Sequence, residues 1–215
     1  MRVGGRTVIQ PTAINAWHDT LEAIKILQSG ISPEEFLFEV VCANLAIAMI
    51  VTGFETYTKR RFLEIEEEGV TASYVRLSSK FFSATDRQRN EPDRVKSDAT
   101  ADGMTPVRRM VNEGRIDFQN YNACKTAYNR AYGIKFGELH GVTNLLVNQM
   151  QQFIRYRHRV VHVSALTTTL NQQQVPPEEP IFANRVLAGQ AIGVFSQFVD
   201  ALHEETLKLR PEAGV

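Results

Sequence analysis

The sequence predicts an all-α fold, a single helical bundle packed around one long central helix, and three observations predict it. Apolar residues recur at spacings of three and four through most of the chain, and outside residues 7–10 no alternation is long enough for a strand. Residues 33–68 are apolar nearly all round through their middle, the pattern of a helix surrounded by other helices. Of the 215 residues, 43% are hydrophobic and 22% charged, with 8 Pro and 13 Gly, which excludes collagen-like, disordered and coiled-coil chains. At this length one domain is expected, residues 12–210, preceded by an N-terminal arm, residues 1–11.

The first helix is expected over residues 12–28, where Ile14, Trp17, Leu21, Ile24 and Leu27 form one stripe and Ser29-Gly30 ends it. The central helix follows. Ser32 as N-cap, Pro33 in the first turn and Glu35 three residues after the cap make a capping box. Its apolar body runs through Phe36, Phe38, Val40, Val41, Leu45, Ile47, Met49, Ile50, Val51 and Phe54. Its end, Lys59-Arg60-Arg61 with Glu64 and Glu66-Glu67-Glu68, reads as a solvated face. A shorter helix is expected over 71–82, with Tyr74, Val75, Leu77, Phe81 and Phe82 inward. Residues 84–106 are dense in Asp, Glu, Arg and Lys with almost no large apolar side chain, and read as an irregular, flexible polar loop. Helices follow over 107–113, 118–132 (stopped by Gly133) and 142–163. Residues 171–180, with three Gln and three Pro, form a linker before the last helix, 181–209. That helix carries the stripe Phe182, Val186, Leu187, Ile192, Phe195, Phe198, Val199 and Leu202, and the chain has no internal repeat.

Lys plus Arg equals Asp plus Glu at 24 each, so no global field recruits nucleic acid and any electrostatic site must be local. Cys42 and Cys124 lack a CxxC or Cys/His spacing and read as two reduced core thiols, which fits a cytoplasmic protein. The apolar stretch 40–51, broken by Asn44, is shorter than the roughly 20 residues of a bilayer span. It predicts a buried helix and no membrane partner. Residues 1–10 have no apolar segment of the kind a secretory signal needs.

The chemistry-bearing segment is Phe153-Ile154-Arg155-Tyr156-Arg157-His158-Arg159-Val160-Val161-His162-Val163, which gathers three Arg and two of the five His. Residues 139–177 contain no Asp or Glu, so this helix carries a positive patch of the kind that attracts phosphate. The alternative is that Arg155, Arg157 and Arg159 pair with carboxylates of neighbouring helices, such as Glu66 to Glu68. At about 100° per residue, His158 and His162 share a face bordered by Arg155 and Arg159, while Arg157 lies roughly 140° from His162. A two-fold dimer packing this helix against its mate would bring both sets into one cleft. Metal is not expected: Arg159 stands where the His-Glu-x-x-His pattern has Glu, and two guanidiniums oppose a dication. The remaining readings are two histidines satisfied in a core or interface, or acid/base chemistry on a phosphate without a cofactor. His exchanges protons near neutrality and Arg holds a phosphodiester, which suits RNA cleavage by the substrate's own 2′-hydroxyl. Such cleavage leaves a 2′,3′-cyclic phosphate and a 5′-hydroxyl. Elsewhere, Phe118, Tyr121, Tyr128 and Tyr132 read as core rather than a stacking platform. His18 and His140 stand alone, and His203, followed by Glu204-Glu205, reads as part of a solvated helix face.

Arg157-His158-Arg159-Val160-Val161-His162 resembles the R-x4-H motif of the HEPN superfamily, whose members place Asn, Asp or His directly after the Arg, as His158 stands here. The resemblance is close over 153–163 and loose over 12–209, where the long central helix is similar to that of the RiboL-PSP-HEPN and related bacterial defence groups. It implies a compact helical bundle and a metal-independent endoribonuclease acting as a toxin or antiviral effector. It further implies RNA as substrate, a homodimer with a composite site, and an antitoxin as partner. By the resemblance His162 is the general acid/base, Arg157 stabilises the phosphate and transition state, and His158 orients them; Arg155 and Arg159, bordering that face, are expected to bind substrate. The family tolerates four to six intervening residues, so Arg155 with His162 also satisfies the spacing, and His158 after Arg157 favours the latter. The superfamily also has non-catalytic members, which makes a module binding nucleotide, RNA or a partner protein the second reading. A helical assembly protein whose Arg-rich helix only makes salt bridges is the third.

Overall fold

A computed structural model describes residues 12–30, 36–162 and 184–209, and all regular structure among them is helical. The expected arm at 1–11, the capping box at Ser32 and the linker at 171–180 lie outside those residues.

Helix α1 (Ala13–Ser29) starts at Thr12, whose hydroxyl accepts from the Asn15 amide. The Ala13 amide donates to Glu64 Oε1 at 2.6 Å, so a carboxylate from the far end of the central helix meets the positive end of α1. That central helix, α2 (Phe36–Glu67), is 32 residues long. Its segment Phe38–Glu67 is long and apolar enough to cross a bilayer by length and composition, but over half of the apolar window is buried, and α1, α8 (Asn144–His162) and α9 (Arg185–Leu207) pack along the helix. The apolar body buries Val40, Ile47, Ile50, Val51 and Phe54, while Phe38 and Leu45 are exposed. Phe54 meets Phe195 and Phe198 of α9 at ring separations of 5.2 and 5.7 Å. Phe62 sits edge-on to Phe118, Tyr128 and Tyr132. The hydroxyls of Tyr128 and Tyr132 donate to the α2 carbonyls of Thr58 and Phe62 at 2.7 and 2.6 Å, which satisfies their polar ends inside the core. Phe118, Tyr121 and Tyr128 are buried, as the core reading expects, as are the free thiols Cys42 and Cys124. Burial pushes the Cys124 thiol up to about 12, so it stays protonated.

Helices α3 (Tyr74–Phe81), α6 (Pro106–Asn112) and α7 (Tyr121–Tyr132) fall where the periodicity puts them, with α7 stopped by Gly133 at φ 77°. Leu77 and Phe82 are buried, but Val75 is 71% exposed because α3 buries one side only. Val186 is likewise exposed, at 67%, in the first turn of α9.

Two expectations are corrected. Residues 84–106 are not an irregular loop but largely two helices, α4 (Ala84–Gln88) and α5 (Glu91–Ala101). Ser83 and Asp86 form a capping box for α4, Asn90 makes the left-handed turn at φ 55°, and Pro92 opens α5. Val95 and Ala99, four apart, bury the inner face. The surrounding charges pair both along and between helices: Arg94 with Glu91, Asp98 and Glu113, Arg109 with Asp102 and Glu113, and Arg115 with Glu91. The charge density that suggests a solvated loop is thus a set of cross-links. The second correction concerns Glu66 to Glu68, which are not a free solvated face. Glu66 accepts from Thr105 at 2.8 Å, Glu67 pairs with Arg108, and Glu68 pairs with Arg61, a guanidinium only 2% exposed whose Nε also donates to Thr206 at 2.9 Å.

Candidate functional site

Helix α8 is held on the central helix by Tyr156, whose buried hydroxyl donates to Asn44 Oδ1 at 2.6 Å. Leu146, Met150, Phe153 and Val160 are buried with it. That rotation sends Gln151, Ile154, Arg155 and His158, an i, i+3, i+4, i+7 stripe, into an open cleft of about 570 Å³. Arg157 enters the same cleft from the inward side of the helix. The second wall is Val51, Phe54 and Glu55 of α2, and the third is the turn 117–122 ahead of α7.

Three of the sequence-derived site residues therefore converge: Arg155, Arg157 and His158 line one cleft. Arg155 and His158 are exposed and Arg157 is half-buried. Arg157 Nη1 reaches Gln119 Oε1 only at 3.5 Å, and its Nε is buried without an acceptor among the described residues. Arg159 is not among the residues lining the cleft; its guanidinium lies over the Tyr156 ring at 5.1 Å. His162 is the last residue of α8, four after His158 and seven after Arg155, so its backbone position continues the cleft-facing stripe. Its side chain lies outside what is described. Both Arg155 and Arg157 reach the cleft, so the two spacings to His162 stay equivalent in place.

Sequence reasoning missed the other charges of the cleft. Glu55 and Asp117 both line it, so the patch that is acid-free along residues 139–177 is opposed in space by two carboxylates. Asp117 and Asn120 are turn- and cap-forming residue types, a signal that the helix expected from residue 118 passed over. Asp117 Oδ1 accepts from the Gln119 amide at 2.9 Å, and Asn120 Oδ1 caps α7 by accepting from the Asn122 and Ala123 amides. Glu55 carried no signal beyond its place on the helix. The pairing expected for the arginines with Glu66 to Glu68 does not form, since those carboxylates are taken by Thr105, Arg108 and Arg61.

A second polar cluster sits at the other end of α2. His203 is half-buried rather than on a solvated face, with Nδ1 3.1 Å from the Tyr57 hydroxyl. Burial first, and Arg61 second, hold its pKa below the ordinary 6.5. His18 and His140 are exposed. Among the described residues no group of three or more His, Cys, Asp or Glu is placed to hold a metal ion.

The cleft is thus lined by two guanidiniums, one exposed imidazole, and two carboxylates on separate walls. In comparisons with protein families, curated proteins and solved structures, nothing matches this chain.

Proposed function

We propose that the chain is a metal-independent endoribonuclease that cleaves RNA by attack of the substrate's 2′-hydroxyl on the adjacent phosphate. The observation that carries this reading is the convergence of Arg155, Arg157 and His158 on one open cleft, with the register of His162 continuing the stripe of Arg155 and His158. The resemblance of residues 157–162 to the HEPN motif supports it. In this reading the arginines hold the phosphodiester and stabilise the charge that builds on it, as bidentate guanidiniums do. His162 moves the proton between the 2′-hydroxyl and the leaving 5′-oxygen, and His158 orients the groups. The same reading has the protein act as a homodimer with a composite site, in the cytoplasm, as a toxin or antiviral effector restrained by an antitoxin.

The test is incubation of the purified chain with mixed cellular RNA in EDTA beside His162→Ala. Cleavage by the wild type and its loss in a folded His162→Ala variant support the proposal; equal cleavage by both overturns it.

One observation favours a second reading, a non-catalytic module for a nucleotide or a partner protein. Glu55 and Asp117 reduce the positive potential of the cleft, and a polyanion gains less there than on a purely basic surface. Tight nucleotide binding without turnover selects that reading.

A further inference from the structure

The cleft holds charges of both signs, which a surface built only to track a phosphate backbone has no use for. Its α8 wall presents Arg155, Arg157 and His158, and the α2 wall presents Glu55. Asp117 already accepts a backbone amide, so one of its oxygens is occupied. Glu55 differs: it is half-buried, and its carboxylate takes no hydrogen bond or ion pair among the described residues. On the other wall, Arg157 Nε is a buried donor without an acceptor. Unsatisfied groups of opposite character on two walls of one cleft describe a ligand with an anionic group at one end and paired N–H donors at the other. Of the two, Arg157 Nε is the buried one, and a buried donor left unmatched is uncommon and calls for a physical reason, whereas the Glu55 carboxylate is reached by water.

We propose that the cleft takes a guanine nucleotide unit, its phosphate on Arg155 and Arg157 and its Watson–Crick edge on Glu55. A carboxylate accepts two parallel N–H bonds. Guanine alone among the four bases places two adjacent donors, N1–H and the N2 amino group, on that edge. Adenine and cytosine offer one amino group beside a ring acceptor, and uracil offers one N–H between two carbonyls. Unpaired bases are read on these edges when they are splayed out of a strand. Ile154, half-buried at the cleft wall, gives the base an apolar surface to lie on, with Val51 and Phe54 buried behind it. The volume of about 570 Å³ lies within the roughly 300–1,000 Å³ of small-ligand sites. The proposal rests on the ribonuclease reading for the phosphate end of the ligand, and on Glu55 for the base.

The experiment measures binding separately from cleavage. Fluorescein-labelled 2′-deoxy trinucleotides, which lack the attacking hydroxyl, are titrated with the full chain, with a central guanine, adenine, cytosine or uracil. The guanine probe is expected to bind about tenfold tighter than the others, the worth of one bidentate contact. Glu55→Gln, near-isosteric with one acceptor replaced by a donor, is expected to erase that preference while its melting temperature stays at the wild-type value. Glu55→Asp, which retracts the carboxylate, is expected to weaken the preference without abolishing it. Equal binding of the four probes by the wild type, or an unchanged preference in a folded Glu55→Gln variant, overturns the proposal. So does tighter binding of an arginine-containing tripeptide, whose guanidinium presents the same pair of donors. A guanine preference in a chain that cleaves no RNA overturns the ribonuclease reading alone, whereas cleavage indifferent to the base overturns this one alone.

Discussion

Tyr156 lies outside the cleft lining yet helps to set the helix that forms one of its walls. Its hydroxyl bond to Asn44 fixes the rotation of α8, and with it the directions of Arg155, Arg157 and His158 on either side. Tyr156→Phe keeps the ring and removes one buried hydrogen bond, a loss of about 1–2 kcal/mol that urea denaturation measures directly. An unchanged midpoint would mean that the bond does not hold the helix. At this scale the cationic half of the site was legible, because Arg155, Arg157 and His158 are neighbours on one helix and helical geometry needs only their numbering. The anionic half was not. Glu55 and Asp117 come from separate segments of the chain, and no local pattern says that their side chains meet a basic helix. Arg159, which helical numbering puts at the border of the His face, has its guanidinium over the Tyr156 ring, a placement that numbering alone does not give.

At the scale of elements, the helices with a strong apolar stripe were legible to within a few residues, and those held by charge were not. Helix α5 buries only Val95 and Ala99 on its inner face, and its remaining order comes from Arg94 and the pairs around it. Opposite charges three and four apart read equally well as a helix or as a solvated loop until their partners on α6 are known. Hydrogen exchange gives the check: the amides of α5 are expected to be protected, and raising the salt concentration is expected to weaken that protection, because these pairs are largely exposed. Exchange at the rate of an unstructured segment would restore the loop expectation.

The cluster joining α2 to α9 carries a second prediction. His203 is held below 6.5 by burial and by Arg61, with Glu64, Glu68 and Asp200 opposing. A histidine whose folded pKa is depressed favours the folded state in its neutral form. Its contribution is complete above 6.5 and is lost as the pH falls through the folded value. Glu68, held below 4.5 chiefly by its hydrogen bond from Arg61, adds its own loss only under more acidic conditions. Unfolding free energy is therefore expected to decline between pH 6.5 and 4.5 in the wild type and to flatten there in His203→Gln. A slope that persists in the variant would move the effect to another group.

For the whole molecule, the balance of 24 basic and 24 acidic side chains leaves no general field to draw a polyanion, so under the ribonuclease proposal attraction and chemistry must both come from the cleft beside α8. The all-helical architecture follows from periodicity and from a central helix too apolar to face water. Under the ribonuclease proposal, what the bundle does is carried by α8 and the residues that meet it. The most direct measurement is the end-group chemistry of RNA fragments produced in EDTA by the wild type and by His162→Ala. The account predicts fragments from the wild type alone, ending in 2′,3′-cyclic phosphate and beginning with 5′-hydroxyl. Fragments with 3′-hydroxyl and 5′-phosphate ends, or the same fragments from both proteins, would contradict it.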